Sequence, residues 1–451
     1  MLVGATHATL RIVDDEQPGS LDFSFVPQNR PARFVDCCTY FALQADGKVL
    51  VREAPDAYDW DDFIVRLNPD GSKDSTFIPL PIQNYSMVVA QPDGKLLAYG
   101  RPGLVRLHSD GSVDPGFRAE LGQIIGIYSI LPQPDGRTLV HGQFSGIGLP
   151  GNSGTVRLLP DGSRDSSFVS AADGEFISTM QLTKNGEILI GGGFTRKQRP
   201  FRAGLVKLRQ DGRLETGFNP PEMFGGVVSE LSVDSQGRIA AAGNAKASAV
   251  SNASALARFL PDGALDVSFR PPLFIGFADS EAFLTAVLAQ DDGRVIVAGE
   301  FTRVGNAERV GLVRLNPDGS VDESFGPLGG VWRDYGLDSK YPGPIGAIVP
   351  ANDGQILIAG GFNFVDSVPA SFIARLNGDP VHHFASVLLL PDASVQLTLA
   401  GRSGYRQIVE ASQDLKHWRA VFTNIAAPDR WEFRDKTKPA GHHFYRAHLA
   451  E

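Results

Sequence analysis

The sequence predicts an all-β protein: a seven-bladed β-propeller closed by an N-terminal strand and followed by a small β-sandwich. A tight-turn signature of the form Gln-Pro-Asp-Gly-Lys recurs seven times, with its glycine at Gly47, Gly94, Gly136, Gly186, Gly237, Gly293 and Gly354. A longer signature, Arg-Leu-Asn-Pro-Asp-Gly-Ser-x-Asp-x-Ser-Phe, follows six times and ends at Phe77, Phe117, Phe168, Phe218, Phe269 and Phe325. A two-turn unit that recurs every forty to sixty residues indicates a repeat architecture.

Each copy of the repeat predicts four short antiparallel strands, as the second copy illustrates. Residues 86–90 and 95–100 flank the turn at Gly94, and residues 103–107 and 113–117 flank the turn at Gly111. Asp-Gly between apolar runs is the strongest short-range hairpin signal, because glycine readily adopts the positive φ that such turns require. Four short strands in each copy, with no helical period between copies, predict a propeller blade.

A pair of opposite charges accompanies the third and fourth predicted strands. The basic positions are Arg66, Arg106, Arg157, Lys207, Arg258, Arg314 and Arg375, and the acidic positions eight residues later are Asp74, Asp114, Asp165, Glu215, Asp266 and Asp322. Because Lys207 and Glu215 depart together from the usual residues, we expect the two positions to pair across the hairpin. As exposed pairs they would contribute only about 0–1 kcal/mol each and would set strand register.

The two ends of the repeated region each hold part of one copy. The seventh copy contains Gly354 and Arg375 but ends before its acidic residue. Residues 20–25 supply the missing half, with Asp22 at the acidic position and Phe25 at the aromatic position. We therefore expect this N-terminal strand to complete the last blade and close the ring, which also removes exposed sheet edges.

These signatures resemble those of the bacterial delta-sixty repeat family, whose units carry the same two elements. The resemblance covers residues 19–380. It implies a β-propeller in a secreted or cell-surface bacterial protein, and it supplies no catalytic residues.

The repeat ends after Pro380, which divides the chain into a propeller at residues 1–381 and a second domain at residues 382–451. The second domain is predicted as a small β-sandwich, with strands at residues 394–400, 405–411, 420–424, 431–434 and 442–448. The run from Tyr405 to Trp418 resembles a fibronectin-type-III-like module that ends many secreted bacterial proteins.

Composition and charge disfavour several classes of protein. The net charge of -9 and the lack of a basic stripe disfavour a nucleic-acid partner. No apolar run approaches the roughly 18 residues of a membrane span, so no membrane insertion is expected. No signal peptide is visible at the start of the sequence. The secreted or cell-surface location is therefore an expectation from the resemblance, and a cytoplasmic location stays open. We expect a monomer.

No cofactor, metal site or catalytic residue is predicted. The sequence lacks the nucleophile elbow, the His-Glu-x-x-His zinc motif, the phosphate loop and the dinucleotide fingerprint. The carboxylates around Asp61 do not have the spacing of a calcium loop. Neighbouring histidines such as His382 and His383 point to opposite faces of a strand, so we interpret them as surface residues. Whether the adjacent Cys37 and Cys38 are bonded stays open.

The candidate binding site lies on the rim opposite the Asp-Gly turns, here called the variable rim. Its loops, at residues 52–62, 144–154, 194–202, 244–255, 270–282 and 326–341, differ between copies, and binding residues concentrate in such scaffolded loops. Two loops from the first and seventh blades are rich in aromatic and charged residues, and they supply the predicted ligand-binding residues Tyr58, Trp60, Asp61, Trp332, Arg333 and Tyr335. The sequence favours a non-catalytic scaffold that binds a protein or a carbohydrate. The alternative is a carbohydrate-active hydrolase or lyase with carboxylates at the mouth of the central channel.

Overall fold

The chain folds as an all-β protein with seven repeated blades. The computed structural model describes residues 17–28, 41–53, 63–81, 85–149, 153–171, 176–193, 204–221, 227–243, 255–327, 329–334, 340–351, 354–370, 372–379, 382–390, 392, 394–401, 407–413, 416–424, 430–436 and 444–449. By their contacts the chain divides into two compact units, the propeller at Gly19–Ala351 with Ile356–Leu376 and a C-terminal unit built mainly from Asn377–Glu451.

Each blade contains an antiparallel sheet of three consecutive strands, numbered here in chain order. The strands are β1 (Ala42–Leu43), β2 (Val49–Glu53) and β3 (Phe63–Leu67) in blade 1, β5 (Tyr85–Ala90), β6 (Leu96–Gly100) and β7 (Gly103–Leu107) in blade 2, β8 (Gln123–Pro132), β9 (Thr138–Ser145) and β10 (Ser153–Leu158) in blade 3, β11 (Phe176–Leu182), β12 (Ile188–Gly193) and β13 (Leu205–Leu208) in blade 4, β14 (Val228–Val233), β15 (Ile239–Gly243) and β16 (Leu256–Phe259) in blade 5, β18 (Leu284–Ala289), β19 (Val295–Gly299) and β22 (Leu312–Leu315) in blade 6, and β25 (Ile345–Pro350), β26 (Ile356–Gly360) and β29 (Ile373–Leu376) in blade 7. The first strands of consecutive blades contact one another, so they form the inner ring.

The fourth strand of each blade is shorter than the sequence predicts. It is reduced to one bridge pair with the third strand, at Leu67–Lys73, Leu107–Val113, Leu158–Arg164, Leu208–Leu214, Phe259–Leu265, Leu315–Val321 and Leu376–Leu21. The acidic residue that follows the bridge ends the strand, because its carboxylate accepts the backbone N–H two residues later at 2.8–3.1 Å. This local bond turns the chain away from the sheet.

The predicted ring closure is confirmed. Leu21 bridges Leu376, and the Asp22 N–H donates to the Arg375 carbonyl oxygen at 2.8 Å, as in the six continuous copies. Phe25 is buried in a cluster that joins Leu357 of blade 7 to blade 1. The N-terminal segment therefore links the last blade to the first.

The two kinds of turn glycine have different surroundings although both have positive φ. In the second turn of blade 3, a Cβ added to Gly162 (φ +92°) would lie 2.3 Å from the Arg118 carbonyl oxygen of blade 2. In the first turn of blade 2, nothing lies within 4 Å of a Cβ added to Gly94 (φ +83°). Gly94 therefore answers only the backbone requirement, whereas Gly162 also lets neighbouring blades approach.

Short additional strands extend several blades on the variable rim. They are β4 (Leu80–Pro81), which pairs with β3, the sheet of β17 (Phe274–Ile275), β20 (Arg303–Val304) and β21 (Ala307–Glu308), and the sheet of β23 (Val331–Asp334), β24 (Lys340–Pro342), β27 (Phe364–Val365) and β28 (Val368–Pro369). The sheet of β17, β20 and β21 extends blade 6, and the sheet of β23, β24, β27 and β28 extends blade 7. A short 3-10 turn, Phe277–Asp279, follows β17.

The C-terminal unit contains two three-stranded antiparallel sheets. One holds β30 (His382–Leu389), β31 (Val395–Gly401) and β34 (Arg430–Asp435), and the other holds β32 (Gln407–Ser412), β33 (Arg419–Asn424) and β35 (Phe444–Leu449). A buried cluster that includes Leu397, Val409 and Trp431 draws on both sheets, as in a β-sandwich. Strand β30 was not predicted from the sequence, whereas the other five correspond to predicted strands.

Candidate functional site

The charged residues of the repeat hold neighbouring blades together. In six blades the arginine Nε donates to the aspartate Oδ2 of the same blade at 2.7–2.8 Å. In the same blades the guanidinium carbon lies 4.4–5.1 Å from the centroid of the phenylalanine ring that ends the repeat. A further guanidinium N–H crosses to the next blade, as Arg106 does to the Pro160 carbonyl oxygen and Arg375 to the Pro69 carbonyl oxygen.

These ion pairs are buried, which corrects the expectation that they are exposed. Arg314 is fully buried and its partner Asp322 is 7% exposed. The sequence could not show this, because the residues that cover each pair belong to the neighbouring blade. The Lys95 and Arg106 side chains and the Gly116 N–H hold the pKa of Asp114 well below its usual range. Such buried, fully bonded charges serve the fold and are not available to a ligand.

The fourth blade departs from this pattern, and the predicted pairing of Lys207 with Glu215 is wrong. Lys207 Nζ lies 3.3 Å from Glu187 Oε2, and Glu215 Oε2 lies 2.9 Å from Arg209 Nε. In blades 1 and 2, by contrast, the position of Glu187 carries a lysine that bonds to the repeat aspartate, as Lys95 does to Asp114 at 3.0 Å. The covariation in the sequence therefore involves three positions, and the position of Glu187 is the one that changes from a cation to an anion.

Of the six predicted ligand-binding residues, the structure describes two. Trp332 and Arg333 lie on β23, and both side chains are partly buried. The Trp332 indole Nε1 donates to the Gly329 carbonyl oxygen at 2.6 Å, which fixes the ring on its own loop. Arg333 lies directly opposite Tyr341 of β24. The other four residues, Tyr58, Trp60, Asp61 and Tyr335, lie outside the described residues, and the predicted site at blades 1 and 7 stays a prediction.

An exposed aromatic group lies on the variable rim between blades 6 and 7. Phe277 is 48% exposed and Tyr341 is 43% exposed, and their ring centroids lie 5.2 Å apart at an interplanar angle of 52°. Phe283, which is 60% exposed, immediately precedes the inner strand β18. We call these three side chains the aromatic surface. Phe277 and Tyr341 lie in two of the loops that the sequence assigns to the variable rim, and Phe283 directly follows the first of them, but none of the three was predicted as a ligand-binding residue.

The loop that presents Phe277 is held in an unusual backbone conformation. Ala278 and Asp279 have φ of 52° and 59°, in the left-handed region that non-glycine residues rarely adopt. Hydrogen bonds close the loop around them, from the Gly276 N–H to the Ser280 carbonyl oxygen at 2.8 Å and from the Ser280 N–H to the Phe277 carbonyl oxygen at 3.1 Å. These hydrogen bonds therefore define the loop conformation, in which the large apolar ring of Phe277 faces solvent.

Two titratable side chains with displaced pKa values lie in the inner part of the blades. Burial raises the pKa of Glu230, on the inner strand β14, to about 8. Burial lowers the pKa of His141, on β9, to about 4, although a backbone hydrogen bond with Gly154 works in the opposite direction. His141 Nδ1 lies 3.1 Å from the Thr155 hydroxyl oxygen. At neutral pH the carboxyl group is therefore largely protonated and the imidazole is neutral.

The seven repeats also match a known family at the level of sequence. A profile of the DUF5122 β-propeller, described as a domain of unknown function, matches residues 44–77, 91–117, 133–168, 183–218, 235–269, 290–325 and 351–379. These segments cover more than half of the chain, and each spans the two turns of one blade or, in the seventh, the part of the blade before the N-terminal strand joins. The chain belongs to the DUF5122 β-propeller family. The delta-sixty resemblance and the fibronectin-type-III-like module stay predictions.

Comparison of this DUF5122 propeller with solved structures finds distant similarity. A gluconolactonase from Xanthomonas campestris is 15% identical and aligns over 65% of this chain and 97% of its own, with a TM-score of 0.34. YCF48 from Cyanidioschyzon merolae is 11% identical over 74% and 97%, with a TM-score of 0.37. A glycoside hydrolase is 11% identical over 93% and 97%, with a TM-score of 0.28. None of these superpositions is close enough to support an argument. A search of curated proteins found no match.

Within the part of the chain that the structure describes, no helix has the length and apolar character needed to cross a bilayer. Among the same residues, no group of three or more histidine, cysteine, aspartate or glutamate side chains is arranged to hold a metal ion.

Proposed function

We propose that this chain is a non-catalytic binding scaffold that recognises a protein or a carbohydrate on the variable rim of the propeller. The observation that supports the proposal is the contact between Phe277 and Tyr341, two half-exposed rings from different blades. Burying either ring would be favourable, yet the fold holds both toward solvent. Large aromatic side chains of this kind are the usual anchors of binding surfaces.

The backbone around Phe277 strengthens the argument. Each non-glycine residue in the left-handed region costs of the order of 1–3 kcal/mol, and such residues cluster at ligand-binding sites. Two adjacent residues of this kind, Ala278 and Asp279, follow the exposed ring directly. The hydrogen bonds that close the loop hold this strained backbone, and with it Phe277, in place before a ligand arrives, which lowers the entropy lost on binding.

The aromatic surface shifts the centre of the proposed site relative to the sequence prediction. The prediction placed it where blades 1 and 7 meet, whereas the aromatic surface lies between blades 6 and 7. The two proposals share the rim sheet of blade 7, because Arg333 and Tyr341 are cross-strand partners. The secreted or cell-surface location implied by the family resemblance suits a scaffold of this kind and is retained as part of the proposal.

The proposal is tested with the full chain on glycan and peptide arrays. A Phe277→Ala, Tyr341→Ala double variant should weaken binding to the array hits by about 2 kcal/mol or more, which is about thirtyfold. The matched control is Phe23→Ala, which removes a ring that is 70% exposed on the closing strand. Equal affinity of the double variant and the parent chain would refute the site.

A carbohydrate-active enzyme is the second candidate, and Glu230 is the observation that favours it. A carboxyl group that stays protonated at neutral pH has the property required of a general acid, and Glu230 lies on a strand of the inner ring. A hydrolase and lyase screen of the parent chain and of Glu230→Gln tests this candidate. Activity that is lost in the variant, with an unchanged fold, would favour the enzyme over the scaffold.

A further inference from the structure

We propose that Glu230 makes the aromatic surface sensitive to pH, because ionisation of its carboxyl group opens the packed seam between blades 5 and 6 that supports this surface. The inference rests on the proposed binding function and adds a regulation of the same site.

The pairing of β14 with β15 places the Glu230 side chain in this seam. Glu230 lies directly opposite Ala242, and residues opposite one another on neighbouring strands share a face of the sheet. Ala242 belongs to a buried cluster that includes Leu284 and Val287 of blade 6. Leu231, the next residue of β14, packs on the other face in a cluster with residues of blade 4. The carboxyl group therefore faces blade 6.

Nothing in the seam balances a charge on this carboxyl group. Among the described residues, Glu230 has no hydrogen bond or ion pair. The strands that pack most closely against β14 are β11, β12, β15 and β18, and none of them carries a titratable side chain. Charged residues stand near the ends of these strands, where they are paired or exposed, namely Glu187, Asp234, Arg238, Glu281, Asp291 and Glu300. Burial alone raises the pKa of Glu230 to about 8.

A carboxyl group at this place is specific to blade 5. In six blades the inner strand has a β-bulge at the same place, and Glu230 is the residue directly after the bulge of β14. The corresponding residues of the other five blades are Met87, Ser129, Thr179, Ala286 and Ala347. None of these five can lose a proton near neutral pH. The one ionisable side chain of the set therefore lies in the seam beside the aromatic surface.

The buried cluster of the seam also anchors the residues that present the aromatic surface. Phe274 and Phe301 belong to this cluster, and their ring centroids lie 5.3 Å apart. Phe274 begins β17, the strand that leads into the loop of Phe277. Leu284 of the cluster directly follows Phe283. A change in the packing of the cluster therefore reaches both exposed phenylalanine rings.

Ionisation of Glu230 favours an open seam that admits water. A carboxylate with no partner regains its ordinary pKa only when water reaches it. The open seam then holds one proton fewer than the closed seam between pH 4.5 and about 8. Over this range opening becomes more favourable by up to about tenfold per pH unit, and it levels off above pH 8. If the ligand binds the closed seam, its affinity falls as the closed fraction falls.

Hydrogen exchange of the full chain between about pH 5.5 and 8.5 tests the opening. The Glu300 N–H, which donates to the Phe283 carbonyl oxygen at 2.8 Å, should lose protection with rising pH faster in the parent chain than in Glu230→Gln, by up to about tenfold per unit. The matched control is the Gly361 N–H, which makes the equivalent bond to the Pro344 carbonyl oxygen in blade 7 at 2.7 Å. It should behave alike in both chains.

Two results of the exchange experiment would overturn the inference. Parallel curves for Glu300 in the parent chain and in Glu230→Gln would show that the carboxyl group does not control the seam. An equal change at Gly361 would show that the whole ring unfolds and that the opening is not local. Glu230→Thr, which installs the residue type of Thr179 in blade 4, is a second uncharged variant and should match Glu230→Gln.

Binding at two pH values tests the regulation separately. Glycan or peptide array hits that depend on Phe277 and Tyr341 should bind the parent chain at least about threefold more weakly at pH 8.5 than at pH 6. Glu230→Gln should bind them equally at both. Hits that bind the parent chain equally at both pH values would overturn the inference and leave the binding scaffold standing. The absence of hits that depend on the two rings would overturn the proposed function, whereas the exchange experiment still decides whether the seam opens.

Discussion

At the scale of single residues, His141 and Glu230 give the stability of the propeller opposite dependences on pH. The folded pKa of His141 lies below its unfolded value of 6.5, so the unfolded chain binds the proton more readily and stability falls as pH drops from 6.5 toward 4. The folded pKa of Glu230 lies above its unfolded value of 4.5, so stability falls as pH rises from 4.5 toward 8. Between pH 4.5 and 6.5 the two contributions oppose each other.

Single substitutions should separate the pH dependences of stability that His141 and Glu230 contribute. In Glu230→Gln, the free energy of unfolding should rise with pH between 5 and 6.5, by about 1 kcal/mol per pH unit, because only the His141 contribution remains. In His141→Gln it should fall between pH 5 and 8 by a similar amount per unit. Urea unfolding at half-unit steps of pH measures both. Above pH 5 the repeat aspartates, whose pKa values are lowered, add no slope. Parallel curves for the parent and both variants would contradict the assignment.

At the scale of the element, blade 4 shows that the repeat tolerates a different set of ion pairs, with a carboxylate in place of the first lysine. Its Lys207 side chain is almost buried, and Glu187 is the carboxylate within reach. Glu187→Lys would place a second cation beside Lys207, and we expect it to cost about 1–3 kcal/mol. Adding Lys207→Arg and Glu215→Asp rebuilds the usual triad and should restore most of the loss. The control is Glu187→Gln, which removes the attraction without adding repulsion and should cost less.

Thermal and urea unfolding of the four chains measures this coupling. A triple variant no more stable than Glu187→Lys alone would show that the three positions do not act together. Recovery of most of the loss in the triple variant would show that the three positions share one network.

The strands and turns of the blades could be predicted from the sequence because their signals are local. An Asp-Gly pair between apolar runs determines a hairpin wherever it occurs, and each predicted turn at Gly94 and Gly111 is present. The fourth strand was overestimated because its length was inferred from the repeat unit, although Val113 to Phe117 include Asp, Pro and Gly, which are depleted in strands. The Asp114 carboxylate competes for the backbone N–H of Gly116 and ends the strand after one bridge. The burial of the arginines was missed because it depends on the next blade.

At the scale of the whole molecule, ring closure could be predicted and the candidate site could not. Asp22 and Arg375 are each half of a motif seen whole elsewhere, so repetition itself located their contact. The contact between Phe277 and Tyr341 is not part of the repeat motif, so the other copies give no information about it. Their contact depends on two rim sheets whose strands are two to four residues long, too short to leave a periodic pattern in the sequence.

The closing segment should be required for the stability of the entire ring. Phe25 belongs to a buried cluster that includes Val49 and Leu67 of blade 1 and Leu357 and Ile373 of blade 7. Deleting residues 1–28 removes the Phe25 side chain and the Asp22–Arg375 ion pair together. It therefore leaves an unpaired strand edge and an open seam.

A deletion of residues 1–16 is the matched control, because it leaves the closing segment in place. We expect the shorter deletion to retain a single cooperative thermal transition close to that of the parent chain. The longer one should lower Tm by 10 °C or more, on the order of the loss of one buried phenylalanine and one buried ion pair, and should promote association through the open edge. Calorimetry and light scattering measure the two effects. Since the two chains differ only in residues 17–28, equal Tm values would show that the ring is held without its N-terminal strand.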